Sequence, residues 1–311
     1  MYKDIHVFAP ASVANVGCGF DTLGFSIHRP GDDIIVRYSS TPGLQITKIT
    51  GDKGKLPLEP EKNTAGVAAL RLMEYLGADK GVEMEIYKGI PIGSGMGSSA
   101  CSAVAGALAI NELFGKPLGK KELLPFALAG EAIASGGAIH ADNVAPCLLG
   151  GMVLVRSNEE IDTIQIAVPQ NLYAAVVLPN LQILTSDARS ILRTEIPMKE
   201  AITQWGNVGG LVAGFMQENY ELIGRSLQDV IVEPYRAKLI PHFYEVKQKA
   251  MENGALGCSI SGAGPAMFAL CKGDDIAFRV AIAMQRTFVK AQIECERYVS
   301  TINTLGAMRI K

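Results

Sequence analysis

Residues 91–100 read Pro91, Ile92, Gly93, Ser94, Gly95, Met96, Gly97, Ser98, Ser99 and Ala100, and an apolar stretch follows directly. Glycines at alternate positions open backbone angles that a Cβ closes. Successive amide N–H groups can then turn inward and form a nest for an anion. A helix starting near Ser98 adds its positive N-terminal end, so the chemistry indicated is phosphate binding. The loop does not follow the G-x-x-x-x-G-K-[ST] pattern, because no lysine succeeds the last glycine. Nor does it fit the dinucleotide pattern G-x-G-x-x-G, whose third glycine comes later, and this discounts an oxidoreductase. An ordinary turn before a buried helix would carry the same glycines, so the loop alone decides little.

The elements around it must hold the loop in place. Strand patterns fall at 3–8 and 33–38, the second after the Pro30-Gly31 turn. A helix is expected over 63–76, capped by Asn63 or Thr64 and ended by Gly77. A strand at 82–87, the glycine-rich loop and a helix at 98–114 then make one unit. A helix at 122–134 broken by Gly136-Gly137, and a strand at 152–156, complete a first domain, 1–156. The polar stretch 157–162 opens a second, 157–311. It carries strands at 173–178, 294–299 and 307–310, the last free to pack back on the first domain. Its helices are expected at 186–192, 199–217, 221–231, 242–252 and 275–289, with an apolar segment, 255–270, before the last. Helices and strands mix without a strict alternation, which favours an α+β fold of two domains.

Composition narrows the class. Lys and Arg total 29 against 31 Asp and Glu, a formal charge of −2, so the basic excess of a nucleic-acid binder is missing. No run approaches the ~20 apolar residues of a membrane helix, and the first ten residues lack a signal-peptide core. Cys18, Cys101, Cys147, Cys258, Cys271 and Cys295 are scattered without a C-x-x-C pair. They read as reduced, packed thiols of a cytoplasmic enzyme. The four histidines show no metal-ligand spacing.

Two further glycine-punctuated segments flank the loop in the sequence: Pro10-Ala-Ser-Val-Ala-Asn-Val-Gly-Cys-Gly-Phe-Asp21, and 257–265 with Ser259-Ile-Ser-Gly-Ala-Gly-Pro265. The three together resemble the signature motifs of the GHMP small-molecule kinases. The first motif, followed by Leu23-Gly24, is similar to the branch that phosphorylates homoserine. So are His140-Ala-Asp-Asn-Val-Ala-Pro146, Thr185-Ser-Asp-Ala-Arg189 and 232–241, which reads Val-Glu-Pro-Tyr-Arg-Ala-Lys-Leu-Ile-Pro. Met96 stands where leucine is commoner, a nearly volume-conserving exchange.

The resemblance implies a two-domain GHMP fold with the active site in the cleft between domains. It implies ATP and L-homoserine as substrates, Mg²⁺ as cofactor, and O-phospho-L-homoserine for threonine synthesis as product. It places Asn63, Thr64 and residues 91–100 at the nucleotide, and Ser98 and Glu131 at Mg²⁺. The alternatives are helix caps for Asn63 and the serines, and a solvated face for Glu131. Homoserine is a zwitterion with a hydroxyl, so its pocket needs a cation, an anion and a polar orienter. Arg189 and Arg236 are the expected carboxylate clamps, since guanidinium meets carboxylate bidentately. Asp21 and Asp142 are expected at the ammonium, Asn143 and Asn15 at the hydroxyl, with His140, Thr185 and Gly262 completing the pocket. Asn143, Arg189 and Arg236 are the expected catalytic set, with no general base. The rival readings are another small-alcohol kinase of the same fold and a catalytically silent metabolite-binding relative. A homodimer is left open.

Overall fold

The computed structural model describes residues 4–134, 136 and 140–311. The first residue of the expected strand 3–8 and part of the Gly136-Gly137 break lie outside them. The chain begins β1 (Ile5–Ala14), β2 (Leu23–Ser39), β3 (Leu44–Thr50), α1 (Thr64–Tyr75), β4 (Gly81–Tyr87) and α2 (Ser98–Leu113). It continues with α3 (Leu124–Ala134), α4 (Ala141–Leu149), β5 (Met152–Ser157), β6 (Asp162–Ile166), β7 (Leu172–Pro179) and α5 (Thr185–Ser190). Next come α6 (Met198–Met216), α7 (Tyr220–Ser226), α8 (Glu233–Arg236), α9 (Phe243–Glu252), β8 (Gly257–Ile260) and β9 (Met267–Lys272). The chain closes with α10 (Asp274–Lys290), β10 (Cys295–Thr301) and β11 (Met308–Arg309).

β2 is the spine of a seven-stranded sheet. Its first end is buried throughout, Leu23 to Ile27, and its second alternates, burying Ile34 and Val36 as the period of two requires. It pairs β1 along most of its length, β4 over 33–39 and β5 over 23–25. β6 continues this sheet beyond residue 157, so a cut at 156 would sever the β5–β6 hairpin. β11 returns from the far end of the chain to pair β1.

α2 lies at the centre of the helical layer, and every residue from Ala100 to Asn111 is buried. A helix apolar on all sides belongs in a core. Its small residues let neighbours come close; a Cβ on Gly106 would stand 2.3 Å from the Ala65 carbonyl of α1.

The second sheet is four-stranded and antiparallel, in order β10-β7-β9-β8. α9 and α10 cover one face, meeting Val177, Met267 and Ala269. The opposite face, with Val176, Phe268 and Leu270, joins the core of the first sheet. Among the described residues no helix is long and apolar enough to cross a membrane.

Two boundaries differ from the sequence pattern. α7 stops at Ser226 rather than 231, because Asp229 accepts hydrogen bonds from the Ile231, Val232 and Glu233 amides and starts α8 instead. The His140 motif is helical from Ala141, so Asp142 and Asn143 sit in a first helical turn rather than a loop.

Candidate active site

The three glycine-punctuated segments are far apart in sequence and interlock in space. Gly93, Gly95 and Gly97 take φ of +71°, +78° and +69°, in the left-handed region that glycine occupies without strain. Met96 gives its carbonyl to the Ser12 amide of β1 (3.2 Å), and Ser94 gives its carbonyl to the Ala266 amide (3.1 Å). Ser261 Oγ donates to the Gly95 carbonyl at 2.7 Å. The loop is thus clasped from both sides before α2 begins.

Beneath it lies a buried charge pair that the motifs did not single out. Lys88 Nζ meets Asp32 Oδ2 with side-chain exposures of 2% and 0%. Lys88 also donates to the Ser98 carbonyl (2.8 Å) and Ser102 Oγ (2.7 Å), while Asp32 accepts from the Gly89 amide at 3.0 Å. A buried pair with this many additional bonds fixes geometry more than it adds stability. Lysine follows the strand rather than the glycines here. The available signal was a lone Lys88 between a strand and a glycine-rich loop.

Beside the loop opens a cleft of about 520 Å³. Thr64, Ile92 to Gly95, Gly97 to Ser99 and Glu131 line the end nearest the glycine-rich loop. Ser98 Oγ donates to the Ile90 carbonyl at 2.9 Å, which leaves its lone pairs free. Ser99 Oγ donates to Glu131 Oε1 at 3.0 Å and orients that carboxylate. Among the described residues no three His, Cys, Asp or Glu cluster as metal ligands. One carboxylate, a hydroxyl and phosphate oxygens satisfy the hard, water-rich shell of Mg²⁺, so Ser98 and Glu131 fit that ion. Pro91, Met96 and Ala100 shape the loop without lining the cleft. Asn63 is a helix cap: its Oδ1 accepts from the Ala65 and Gly66 amides, and its Nδ2 donates to the Pro57 carbonyl.

The other end is built from both halves of the chain. Arg189, on α5, reaches Asp21 through Nη2, at 3.0 and 2.9 Å from the two carboxylate oxygens. The same nitrogen lies 3.1 Å from His140 Nε2. A guanidinium only donates, so Nε2 accepts, and the imidazole proton faces Glu131 from Nδ1. Glu131 raises the His140 pKa. Arg236 is 3% exposed and donates to the Ala188 and Gly262 carbonyls, each at 3.0 Å. Burial lowers its pKa to about 10, so its charge persists at neutral pH. The two guanidinium groups flank Phe20, 5.3 and 5.0 Å from its ring centre. Asp142 is buried, and its Oδ1 has no hydrogen-bond partner among the described residues. Desolvation, helped by Asp21, raises its pKa to about 7. A buried carboxylate oxygen without a partner can accept from a ligand's donor.

Asn143 Oδ1 accepts from the buried Ser12 hydroxyl at 3.0 Å, and that oxygen would lie 2.9 Å from a Cβ on Gly97. It therefore sits between the glycine-rich loop and the far end of the cleft. Asn15 does a different job from the one expected of it. Its Nδ2 donates to the Gly262 carbonyl (2.8 Å) and its Oδ1 accepts from the Asp21 amide (3.1 Å), so its amide is spent on the loop. Asn15, Val16 and Gly17 have φ of +70°, +43° and +69°. A buried valine there is strained, of order 1–3 kcal/mol, and its neighbours over-determine it. Thr185 and Gly262 line the cleft, Thr185 at the exposed start of α5.

The chain matches the GHMP kinases N terminal domain over residues 63–151 and the GHMP kinases C terminal domain over 208–290. It is 48% identical to a homoserine kinase of Chlorobium phaeobacteroides (strain BS1), covering 98% of this chain and 99% of that one. A homoserine kinase of Chloroherpeton thalassium is 49% identical, with 98% and 99% covered. The crystal structure of homoserine kinase from Cytophaga hutchinsonii superposes with a TM-score of 0.97 at 52% identity, covering 99% of this chain and 97% of that one.

Proposed function

Because the chain belongs to the GHMP kinase family, we propose that it transfers the γ-phosphoryl group of ATP to the hydroxyl of L-homoserine, forming O-phospho-L-homoserine and ADP. The observation that carries the acceptor is the charge pattern opposite the phosphate loop. Two guanidinium groups, Arg189 and Arg236, share one cleft with Asp21 and the unpartnered oxygen of Asp142. A zwitterionic amino acid complements both signs; a neutral alcohol or a mevalonate-like acid complements one at most.

The loop amides of 93–99 and the start of α2 hold the phosphates. Ser98 and Glu131 would hold Mg²⁺, which neutralises charge on the phosphates, with Ser99 orienting Glu131. Arg189 and Arg236 grip the homoserine carboxylate, and Asp142 takes the ammonium. Asn143, steadied by Ser12, orients the hydroxyl toward the γ-phosphorus. As the new O–P bond forms, the bond from the γ-phosphorus to the bridging oxygen breaks and ADP leaves with that electron pair. The hydroxyl proton passes late to a transferred phosphoryl oxygen or to water, because a loose transition state asks little of a base, and positioning carries most of the rate.

An ADP-release assay across homoserine, mevalonate, threonine, shikimate and an amino alcohol without a carboxylate tests the reading. Homoserine is expected to exceed each of the others in kcat/KM by at least about 100-fold, the effect of one lost charge-assisted contact. Equal turnover of mevalonate would overturn the acceptor assignment, and absence of turnover with every alcohol would make the protein a silent relative.

A further inference from the structure

A carboxylate clamp made of two arginines meets a difficulty of its own. Two like charges must stand within reach of one anion before that anion arrives, and repulsion drives them apart. An acid between them would draw them together, but it would also occupy the N–H groups that a bound carboxylate needs. Phe20, which the sequence carries between Gly19 and Asp21, meets the difficulty in another way. Its ring centre lies 5.3 Å from the Arg189 guanidinium carbon and 5.0 Å from that of Arg236. An aromatic ring attracts a cation through its quadrupole and, having no lone pair, does not compete with a carboxylate for N–H donors. The planar edge of each guanidinium stays available for bidentate contact. Arg189 Nε shows this directly, being buried without a hydrogen-bond partner among the described residues. Arg236 gives Nε and Nη1 to the Ala188 and Gly262 carbonyls, which bear no full charge.

The backbone beneath the ring is fixed from both sides. The Gly19 amide donates to the Asn15 carbonyl at 2.8 Å, and the Gly19 carbonyl accepts from the Thr22 and Leu23 amides, each at 2.9 Å. The Asp21 amide donates to Asn15 Oδ1 at 3.1 Å, and the Asp21 carboxylate holds Arg189 Nη2. One turn between β1 and β2 thus holds Arg189 by charge, and both arginines by its ring. Arg189 comes from α5 and Arg236 from α8, so the ring sets two separate elements against each other. Both arginines line the cleft and Phe20 does not, so any effect of the ring on a bound acceptor passes through them. Resting on the homoserine reading of the site, we propose that Phe20 is a positioning residue: its ring holds Arg189 and Arg236 at the separation that one carboxylate bridges. It thereby sets the affinity for acceptors that bear a carboxylate, without touching them.

Proteins carrying mono-, di- or trifluorinated phenylalanine at position 20, together with Phe20→Leu and Phe20→Tyr, test the proposal. Fluorine drains the ring quadrupole while nearly keeping its volume, so a ring that only fills space would not respond. KM for homoserine should rise with each fluorine, to about fivefold for the trifluorinated ring, with kcat held within about twofold. Phe20→Leu should raise KM about tenfold, the loss of two cation–π contacts, and Phe20→Tyr should leave it within about threefold of native. ATP affinity by calorimetry, and kcat/KM for an amino alcohol without a carboxylate, should stay flat across the series. A KM indifferent to fluorination, in proteins that melt at the native temperature, makes Phe20 a packing residue and overturns the proposal. An equal loss with the amino alcohol or in ATP affinity overturns it as well, because the ring would then act elsewhere than on the clamp. A native protein that does not bind homoserine is a separate result, which overturns the acceptor reading and this proposal with it.

Discussion

On the proposed function Asp142 could serve the acceptor in two ways, as ammonium partner or as base, and its surroundings separate them. Its carboxyl is desolvated and faces Asp21, which raise its pKa to about 7, while His140 and Arg189 pull the other way. Below that pH it is neutral and holds an ammonium poorly. With ATP saturating, kcat/KM for homoserine should therefore fall about tenfold per pH unit below 7, because that ratio reports ionisations of the enzyme before homoserine binds. Asp142→Asn should flatten this limb and raise KM far more than it lowers kcat, the mark of lost ground-state binding. A collapse of kcat with KM unmoved would make Asp142 the base. The same shift has a stability side of opposite sign. The carboxyl titrates at 3.8 when exposed and near 7 when folded, so stability present at acid pH is lost as pH climbs to about 7. Without ligand, Asp142→Asn should melt above the native protein at pH 8. Lys88 gives a contrasting case, a buried charge whose work is structural. Lys88→Met leaves the Asp32 carboxylate without its cation and should cost about 3–5 kcal/mol in urea unfolding, with part of this recovered by adding Asp32→Asn.

At the scale of the element, the phosphate loop depends on what its glycines face as much as on their angles. Gly93 and Gly97 have nearly the same φ, +71° and +69°, so alanine at either carries a similar backbone penalty, ~1–2 kcal/mol. Their neighbours differ. A Cβ on Gly93 would lie 3.0 Å from the flexible Gln182 side chain, whereas one on Gly97 would lie 2.1 Å from Ser12 Oγ. Gly97→Ala should then weaken ATP binding by more than ~100-fold in calorimetry and Gly93→Ala by roughly tenfold or less, each ~1.4 kcal/mol being a factor of ten. Equal losses would show that angle alone matters. The loop, the helix after it and the cap at Asn63 could be read from sequence because glycine, serine and asparagine act locally there. What Asn15 does could not. Its left-handed turn and its bond to Gly262 connect residues 247 positions apart, and no periodicity records such a contact. No element was expected over 140–149, where Pro146 falls inside the run, yet α4 spans Ala141–Leu149 with that proline within it. β3 escaped notice because Lys48 breaks its alternation at the bulge between Ile46 and Lys48.

The whole molecule decides how its two sheets behave on unfolding. A polar stretch at 157–162 looked like a domain boundary, but it is the turn of a hairpin whose second strand still belongs to the first sheet. The sheets are also sewn together at the Ile27–Ile302 bridge, and by the Asn303 amide donating to the Ser26 carbonyl. Their inner faces share one core, in which Phe25 of β2 meets Phe268 of β9 edge to face, ring centres 5.8 Å apart. Surfaces buried against each other in this way must separate together, so the protein should unfold in one transition despite its two-sheet architecture. Phe268→Ala removes a fully buried ring from that seam and should cost about 3–5 kcal/mol. Scanning calorimetry should record a single endotherm for both proteins, the variant's moved down as a whole. Two endotherms in the variant, with one still at the native temperature, would show that each sheet holds itself together and that the shared core only docks them.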